Sequence, residues 1–382
     1  MKKNRRLYFD INATTPFFER SKIKTHFANP SALYQESQAA KYLLESSRST
    51  LANLLGCDSS NLIFTGSATE ANNQVLMSVL FHQLQTGLPS HVILSSIEHS
   101  SLIKAAQFIQ KMGVEISFLP VEKTGQISLD LLKSLITPRT RLISIMAANN
   151  EVGTLQPLEE ITKVSRETGC LFHTDAVQML GKSPFSLSGL DVDFATFSGH
   201  KVYAPKGVGL LYAKEKSNLL PLCHGGGQEY GLRSGTENVE GVFYFAESLS
   251  YILKDKLLFE RLKSYQVEIK EALKEAFSEI LFYSPDQNSL PNLLNFSLPI
   301  NAEALVMACD IEGIAIGTGS ACSTGSTEPS HVLRAMGVSD RENKCAVRVS
   351  FGAETSGEEV HLFCERFVSL AKKILERKGA HF

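Results

Sequence analysis

From about residue 60 to residue 212 the chain alternates short apolar runs with longer stretches of helical periodicity. The runs are Leu62–Thr65, His91–Ser95, Ile116–Val121, Arg141–Ala147, Cys170–Thr174, Phe194–Phe197 and Val208–Tyr212. They are rich in β-branched and aromatic residues and too short for helices, so each reads as a buried strand. Such alternation predicts an α/β fold: a mainly parallel central sheet with helices on both faces. Sheets built this way bind ligands at the carboxyl ends of their strands, where loops and helix N-termini converge. Five of the runs end in clusters of small and polar residues, so those ends are where chemistry is expected.

After about Tyr251 the pattern changes. Leu258, Leu262, Tyr265, Ile269, Ala272, Ala276 and Ile280 mark one face of a long helix. Two apolar runs follow, Leu293–Leu298 and Ala346–Phe351. A final helix carries Val360, Phe363, Phe367, Leu370 and Ile374 at three–four spacing. This predicts a smaller C-terminal α+β domain with the N-terminal dozen residues against it. The expected division is 14–255 for the large domain and 1–13 with 256–382 for the small one.

Composition sets limits on function. With 382 residues, 43% apolar and 20% charged, the chain can build a sizeable core and has no disordered character. A formal net charge of −2 gives no electrostatic reason to expect nucleic acid or an anionic membrane as partner. No apolar run is long enough to span a bilayer, and the basic N-terminus is not followed by the apolar segment of a secretory signal. The seven cysteines are scattered, with no C-x-x-C, which argues against a disulfide framework and a cysteine-rich zinc site. No metal is expected, and a reducing cytoplasm is the simplest compartment.

The strand ends carry the candidate chemistry. Ser198-Gly199-His200-Lys201 follows the sixth run, and a lysine there is placed to form a Schiff base with an aldehyde cofactor. Asp175, in His173-Thr174-Asp175-Ala176-Val177-Gln178, either pairs with a cationic ring nitrogen or caps a following helix. Thr65-Gly66-Ser67-Ala68-Thr69-Glu70 opens a helix and offers backbone N–H groups to a phosphate; it also fits an ordinary capping box. His99, in Glu98-His99-Ser100, suits ring stacking or proton transfer, or is a satisfied loop histidine. Asn149-Asn150-Glu151-Val152-Gly153 offers amide donors at a fifth strand end.

Two further features lie in the C-terminal part. Cys322 sits in the Gly/Ser/Thr-rich stretch 317–327, unlike the other six cysteines, which mostly have apolar neighbours. A loop cysteine of this kind suits a nucleophile that reaches a site and withdraws. Arg348, within the strand-like Val347-Arg348-Val349-Ser350, needs an anion: a substrate carboxylate in its fork, or a structural carboxylate.

In order and spacing these motifs resemble the cysteine desulfurases of the NifS/IscS type. These are relatives of the class V aminotransferases within the fold type I enzymes of pyridoxal 5'-phosphate (PLP). The resemblance runs from Tyr8 to about Leu370 and takes in Ala13-Thr14-Thr15-Pro16, Arg233-Ser234-Gly235-Thr236, Gly319-Ser320-Ala321-Cys322 and Glu328-Pro329-Ser330-His331 besides the strand ends. It implies PLP bound through Lys201, with Asp175 on the ring nitrogen, Gln178 on the ring hydroxyl and His99 stacked on the ring and assisting proton transfer. Ala68, Thr69, Ser198 and His200 hold the phosphate, Asn150 contacts cofactor and substrate, and Arg348 takes the carboxylate of L-cysteine. Cys322 receives the sulfur as a persulfide, leaving alanine. Thr236 reaches the neighbouring subunit's phosphate, which implies a homodimer. A sulfur acceptor such as an iron–sulfur scaffold, or tRNA and cofactor thiolation, is implied as the outlet.

Three positions depart from the family's pattern: Tyr34 stands for histidine, Ser37 for glycine and Tyr230 for arginine. The chain ends at Phe382 without the longer tail by which some members dock a scaffold. A selenocysteine lyase, another class V enzyme or a silent sulfur-relay scaffold are the competing readings, and Cys322 and Lys201 discriminate among them.

Overall fold

The computed structural model describes residues 5–19, 27–318 and 329–379. A short strand β1 (Leu7–Tyr8) and a long helix α1 (Gln35–Leu55) open the chain. Then come β2 (Leu62–Thr65), α2 (Ala68–Thr86), β3 (His91–Ser95), α3 (Ser100–Lys111), β4 (Glu115–Leu119) and α4 (Leu129–Leu135). They are followed by β5 (Thr140–Ser144), α5 (Leu158–Thr168), β6 (Leu171–Asp175), β7 (Phe194–Ser198) and β8 (Gly209–Ala213). The second half adds α6 (Val239–Lys254), α7 (Leu258–Ala276), β9 (Leu281–Phe282), β10 (Leu293–Ser297), α8 (Ala302–Ile311), β11 (Ile314–Ala315) and β12 (Gly317–Thr318). It closes with α9 (His331–Ala335), α10 (Asp340–Asn343), β13 (Ala346–Ser350) and α11 (Gly357–Gly379).

Strands β2 to β8 form one seven-stranded sheet in the order β2-β8-β7-β6-β5-β3-β4. The pairings from β7 through β4 are parallel, whereas β8 runs antiparallel to both its neighbours. Parallel neighbours require a crossover, and α3, α4 and α5 supply three of them. The fourth, between β6 and β7, is built of turns over residues 176–193, so no helix follows Asp175 for it to cap. Every residue of β2, β3, β7 and β8 is buried, which is why these strands read as unbroken apolar runs. The edge strand β4 is mostly half-buried or exposed.

The second sheet has four antiparallel strands, β12-β13-β10-β9. Helix α7 stops at Ala276, four residues before Ile280, because Phe277 takes an extended backbone. Ile280 then packs against the core from beyond the turn. The N-terminal segment returns to this layer: β1 pairs with β11, the Ser350 N–H donates to the Phe9 carbonyl at 2.8 Å, and Phe9 stacks on Phe363 with centroids 4.4 Å apart. One apolar core runs from α1 through the large sheet to Phe351 and Phe363. Among the described residues no helix is long and apolar enough to cross a membrane, and no cluster of three or more His, Cys, Asp or Glu could hold a metal.

Candidate active site

The turn after β2 is closed by two side chains, though not as a capping box, because Glu70 reaches the N–H one residue before the N-cap Ser67. Ser67 Oγ accepts the Glu70 N–H at 3.1 Å, and the Glu70 carboxylate accepts the Gly66 N–H at 2.8 Å. Strand β8 runs so close to this turn that a Cβ on Gly209 would lie 2.4 Å from the Ser67 carbonyl carbon, so only glycine fits. Ala68 and Thr69 open the 19-residue helix α2, whose N-terminus carries a partial positive charge, and both line a cavity of about 230 Å³. Ser67 therefore both caps the helix and lines the cavity.

Four more strand ends meet at this cavity. His99 follows β3 and caps α3, its Nδ1 accepting the Ser101 N–H at 3.2 Å. A ring nitrogen that accepts a hydrogen bond carries no proton, so the neutral ring is protonated at Nε2. Asn150 follows β5, and its neighbour Asn149 is buried in the turn, accepting the Glu151 and Val152 N–H groups. Asp175 ends β6 and Gln178 lies in the turn after it. Ser198 ends β7, followed by His200 and Lys201 in a short 3-10 turn. Lys201 Nζ donates to the carbonyls of Asn12 and Ala13, each at 2.6 Å, which lays the N-terminal segment across the lysine.

Arg348 enters from the second sheet. It is 1% exposed and lines the same cavity. Its Nη2 donates to Asp10 Oδ1 at 2.7 Å and its Nη1 to the Asn150 carbonyl at 3.0 Å, while Nε has no partner among the described residues. Gly317 lies opposite in register, where a Cβ would meet Asp10 Oδ1 at 2.8 Å and Arg348 Nη2 at 3.2 Å. The arginine thus makes a structural ion pair and still keeps a buried donor for a ligand.

Ten of the twelve sequence-predicted site residues line one cavity. Thr236 does not; it lies exposed in the loop ahead of α6. Cys322 lies outside the described residues. Sequence reasoning missed the groups that position the others. Asn72 Nδ2 donates to Asp175 Oδ2 at 2.8 Å and to Ser101 Oγ at 3.0 Å, and Ser101 Oγ is 2.8 Å from His99 Nδ1. A buried relay therefore joins Asp175 to His99. Its one visible signal is spacing: Asn72 lies three residues after Thr69, on the same face of α2. Two of the three departures find side-chain partners. Tyr34 precedes α1 without a capping bond, buried Ser37 donates to the Asn29 carbonyl, and Tyr230 receives Lys216 Nζ over its ring at 3.9 Å.

Positive charge dominates the cavity. Burial, then Lys201, Lys182 and Lys206, push the pKa of His200 down to about 4. Burial, then Lys201 and Arg348, hold Lys182 well below the ordinary lysine range. Burial is the larger cause of both shifts, and the neighbouring cations add to it, which favours an anion over a further cation. Around it, burial raises two carboxyls, Glu98 to about 8 and Glu151 to about 7; Ser330 Oγ donates to Glu151.

Residues 7–363 match the family described as aminotransferase class-V. Over 378 residues the chain is 36% identical to a cysteine desulfurase IscS of Dictyoglomus turgidum, with 97% of this chain and 95% of the relative covered. The chain belongs to the cysteine desulfurase branch of the class-V aminotransferases. This desulfurase is also 35% identical to the mitosomal cysteine desulfurase of Encephalitozoon cuniculi, covering 97% of this chain and 88% of the relative. A solved NifS-like protein superposes with a TM-score of 0.89 at 34% identity, covering 96% of this chain and 99% of that one. These relatives favour a desulfurase over a selenocysteine lyase or a silent scaffold.

The family implies PLP, and the desulfurase's residues fit it. A buried carboxylate, a lysine amine, a helix N-terminus and a positively charged cavity are the donor set an anionic pyridine aldehyde requires.

Proposed function

We propose that the cavity holds PLP and that the enzyme moves sulfur from L-cysteine to Cys322, leaving alanine. The observation that carries this reading is the meeting of Lys201, Asp175 and Arg348 at one cavity. Bound there, PLP supplies an electron sink for the carbon skeleton of the substrate.

The chain's own residues divide the work. Lys201 would hold the aldehyde carbon, and its amine, once displaced by substrate, moves protons near the substrate α-carbon. Asp175, fixed by Asn72, would face the ring nitrogen, and Gln178 the ring oxygen. His99 would stack on the ring and assist proton transfer. Ala68, Thr69, Ser198 and His200 would take the phosphate. Asn150 and Arg348 would orient the substrate, whose carboxylate meets Arg348 Nε. The Cys322 thiolate then bonds to the substrate sulfur as the Cβ–Sγ bond breaks. The carbon keeps the electron pair and takes a proton, giving alanine and a persulfide.

The remaining readings rest on the family resemblance and, for the domain division and the compartment, on the hydrophobic pattern and the scattered cysteines. The protein acts as a homodimer in which Thr236 serves the partner's site. Residues 14–255 form the large domain, and 1–13 with 256–382 the small one. The persulfide supplies a sulfur acceptor such as an iron–sulfur scaffold, and the protein works in a reducing cytoplasm. Incubation with L-cysteine, followed by assay of alanine and of protein mass, tests the central claim. One added sulfur, mapped to Cys322 and lost in Cys322→Ala together with alanine release, is the expected outcome. Full alanine release by Cys322→Ala would refute it.

A further inference from the structure

A second lysine lies behind the cavity wall. Lys182 is 3% exposed, four residues after Gln178 in the turn that follows β6. Its Nζ donates to Gln178 Oε1. No carboxylate among the described residues pairs with it, an unusual setting for a buried lysine.

What Lys182 does to Gln178 follows from donor and acceptor types. A glutamine amide can sit in two senses that differ by exchange of its oxygen and nitrogen. Here both ends are fixed. Lys182 Nζ offers hydrogens and takes Oε1; the Asn12 carbonyl can only accept and takes Nε2 at 3.1 Å. The same carbonyl accepts from Lys201 Nζ at 2.6 Å. The two lysines thus stand at opposite ends of one relay, Lys182–Gln178–Asn12–Lys201, and Gln178 lines the cavity with one Nε2 hydrogen still to be placed.

We propose that Lys182 is a positioning residue: by holding Gln178 Oε1 it locks the amide with Nε2 as the donor toward the cofactor's ring oxygen. Without Lys182 only the Asn12 carbonyl holds the amide sense, and the amide turns more readily to present an oxygen to that oxygen, which repels it. The proposal rests on the assignment of PLP to this cavity. Burial and the charges of Lys201 and Arg348 hold the Lys182 amine below the usual lysine range. The amide sense is fixed by the ammonium form, which has hydrogens and no lone pair, with the Asn12 carbonyl holding the other end.

The test uses apo protein titrated with PLP, comparing wild type, Lys182→Met, Gln178→Ala and the double variant. Two quantities are read: PLP affinity, and the pH midpoint of the bound cofactor's absorbance change. Lys182→Met keeps the stem and removes the donor. It should weaken PLP binding roughly tenfold, the scale of one hydrogen bond, and move the absorbance midpoint. Its melting temperature should change little, since the hydrogen bond lost at Gln178 Oε1 is offset by removal of a buried, unpaired amine. The double variant should match Gln178→Ala alone, because Lys182 acts only through Gln178. Additive effects, or an unchanged affinity and midpoint in Lys182→Met, would overturn the proposal. Lys182→Gln, which cannot impose one amide sense, should show the same loss. If neither Lys182 variant folds, the residue is structural and the proposal fails. A wild type that takes up no PLP removes the cofactor assignment itself, a distinct result.

Discussion

Arg348 shows how one residue can satisfy a structural and a binding need together. Asp10 and the Asn150 carbonyl take its two terminal nitrogens, and Nε is left buried without a partner among the described residues. A lysine could keep the ion pair with Asp10 but has no second nitrogen to place. Arg348→Lys should therefore raise the KM for L-cysteine by roughly thirtyfold, the loss of a charge-assisted hydrogen bond of about 2 kcal/mol. Its kcat should change much less, and steady-state kinetics of alanine release separate the two. An unchanged KM would place the substrate carboxylate elsewhere. At this scale the sequence was informative wherever residue type and position at a strand end coincided, as for Lys201, Asp175 and His99. It was silent on Asn72, Asp10 and Lys182. Asn72 meets Asp175 across 103 residues and Asp10 meets Arg348 across 338, contacts that exist only after folding. Lys182 is only four residues from Gln178, but its burial could not be read from spacing.

Glu98 ties three elements together. Its Oε1 accepts Ser95 Oγ at the end of β3 at 2.5 Å and the Met146 N–H beyond β5 at 2.8 Å. Its main-chain oxygen accepts His331 Nε2, at the start of α9, at 3.0 Å. Burial raises its pKa from 4.5 to about 8, and that of nearby Glu151 to about 7. The folded protein thus keeps protons that the unfolded chain releases near 4.5. The stability these groups contribute is complete below that pH and declines as pH rises through 7 and 8. The melting temperature of the wild type should therefore fall between pH 5 and pH 8.5. Glu98→Gln, which keeps the acceptor oxygen and cannot ionise, should show a shallower fall, with the Glu151 share remaining. Parallel curves for the two proteins would rule out ionisation of Glu98 in this range. Elements themselves were legible where burial was uniform, as in β2, β3 and β7. The turn-built link from β6 to β7 and the end of α7 at Ala276 were not, because tertiary packing sets them.

At the scale of the whole molecule, the cavity is walled by parts distant in sequence: the N-terminal Asn12 and Ala13, the strand ends of the large sheet, and Arg348 of the second sheet. A ligand held there touches only the assembled fold and stabilises it by mass action, by about 2.7 kcal/mol at one hundred times its dissociation constant. Apo protein should accordingly gain several degrees of melting temperature on adding PLP. Pyridoxal, which has the ring and aldehyde but no phosphate, should give a much smaller rise, because the N-terminus of α2 and the positive field around His200 then have no anion to bind. Lys201→Ala should still respond to PLP, but less than wild type, since phosphate and ring contacts survive the loss of the covalent link. The two comparisons separate the phosphate cradle from the lysine. Equal shifts with PLP and pyridoxal would mean that the residues around Ala68 and His200 hold no phosphate, whatever Lys201 does.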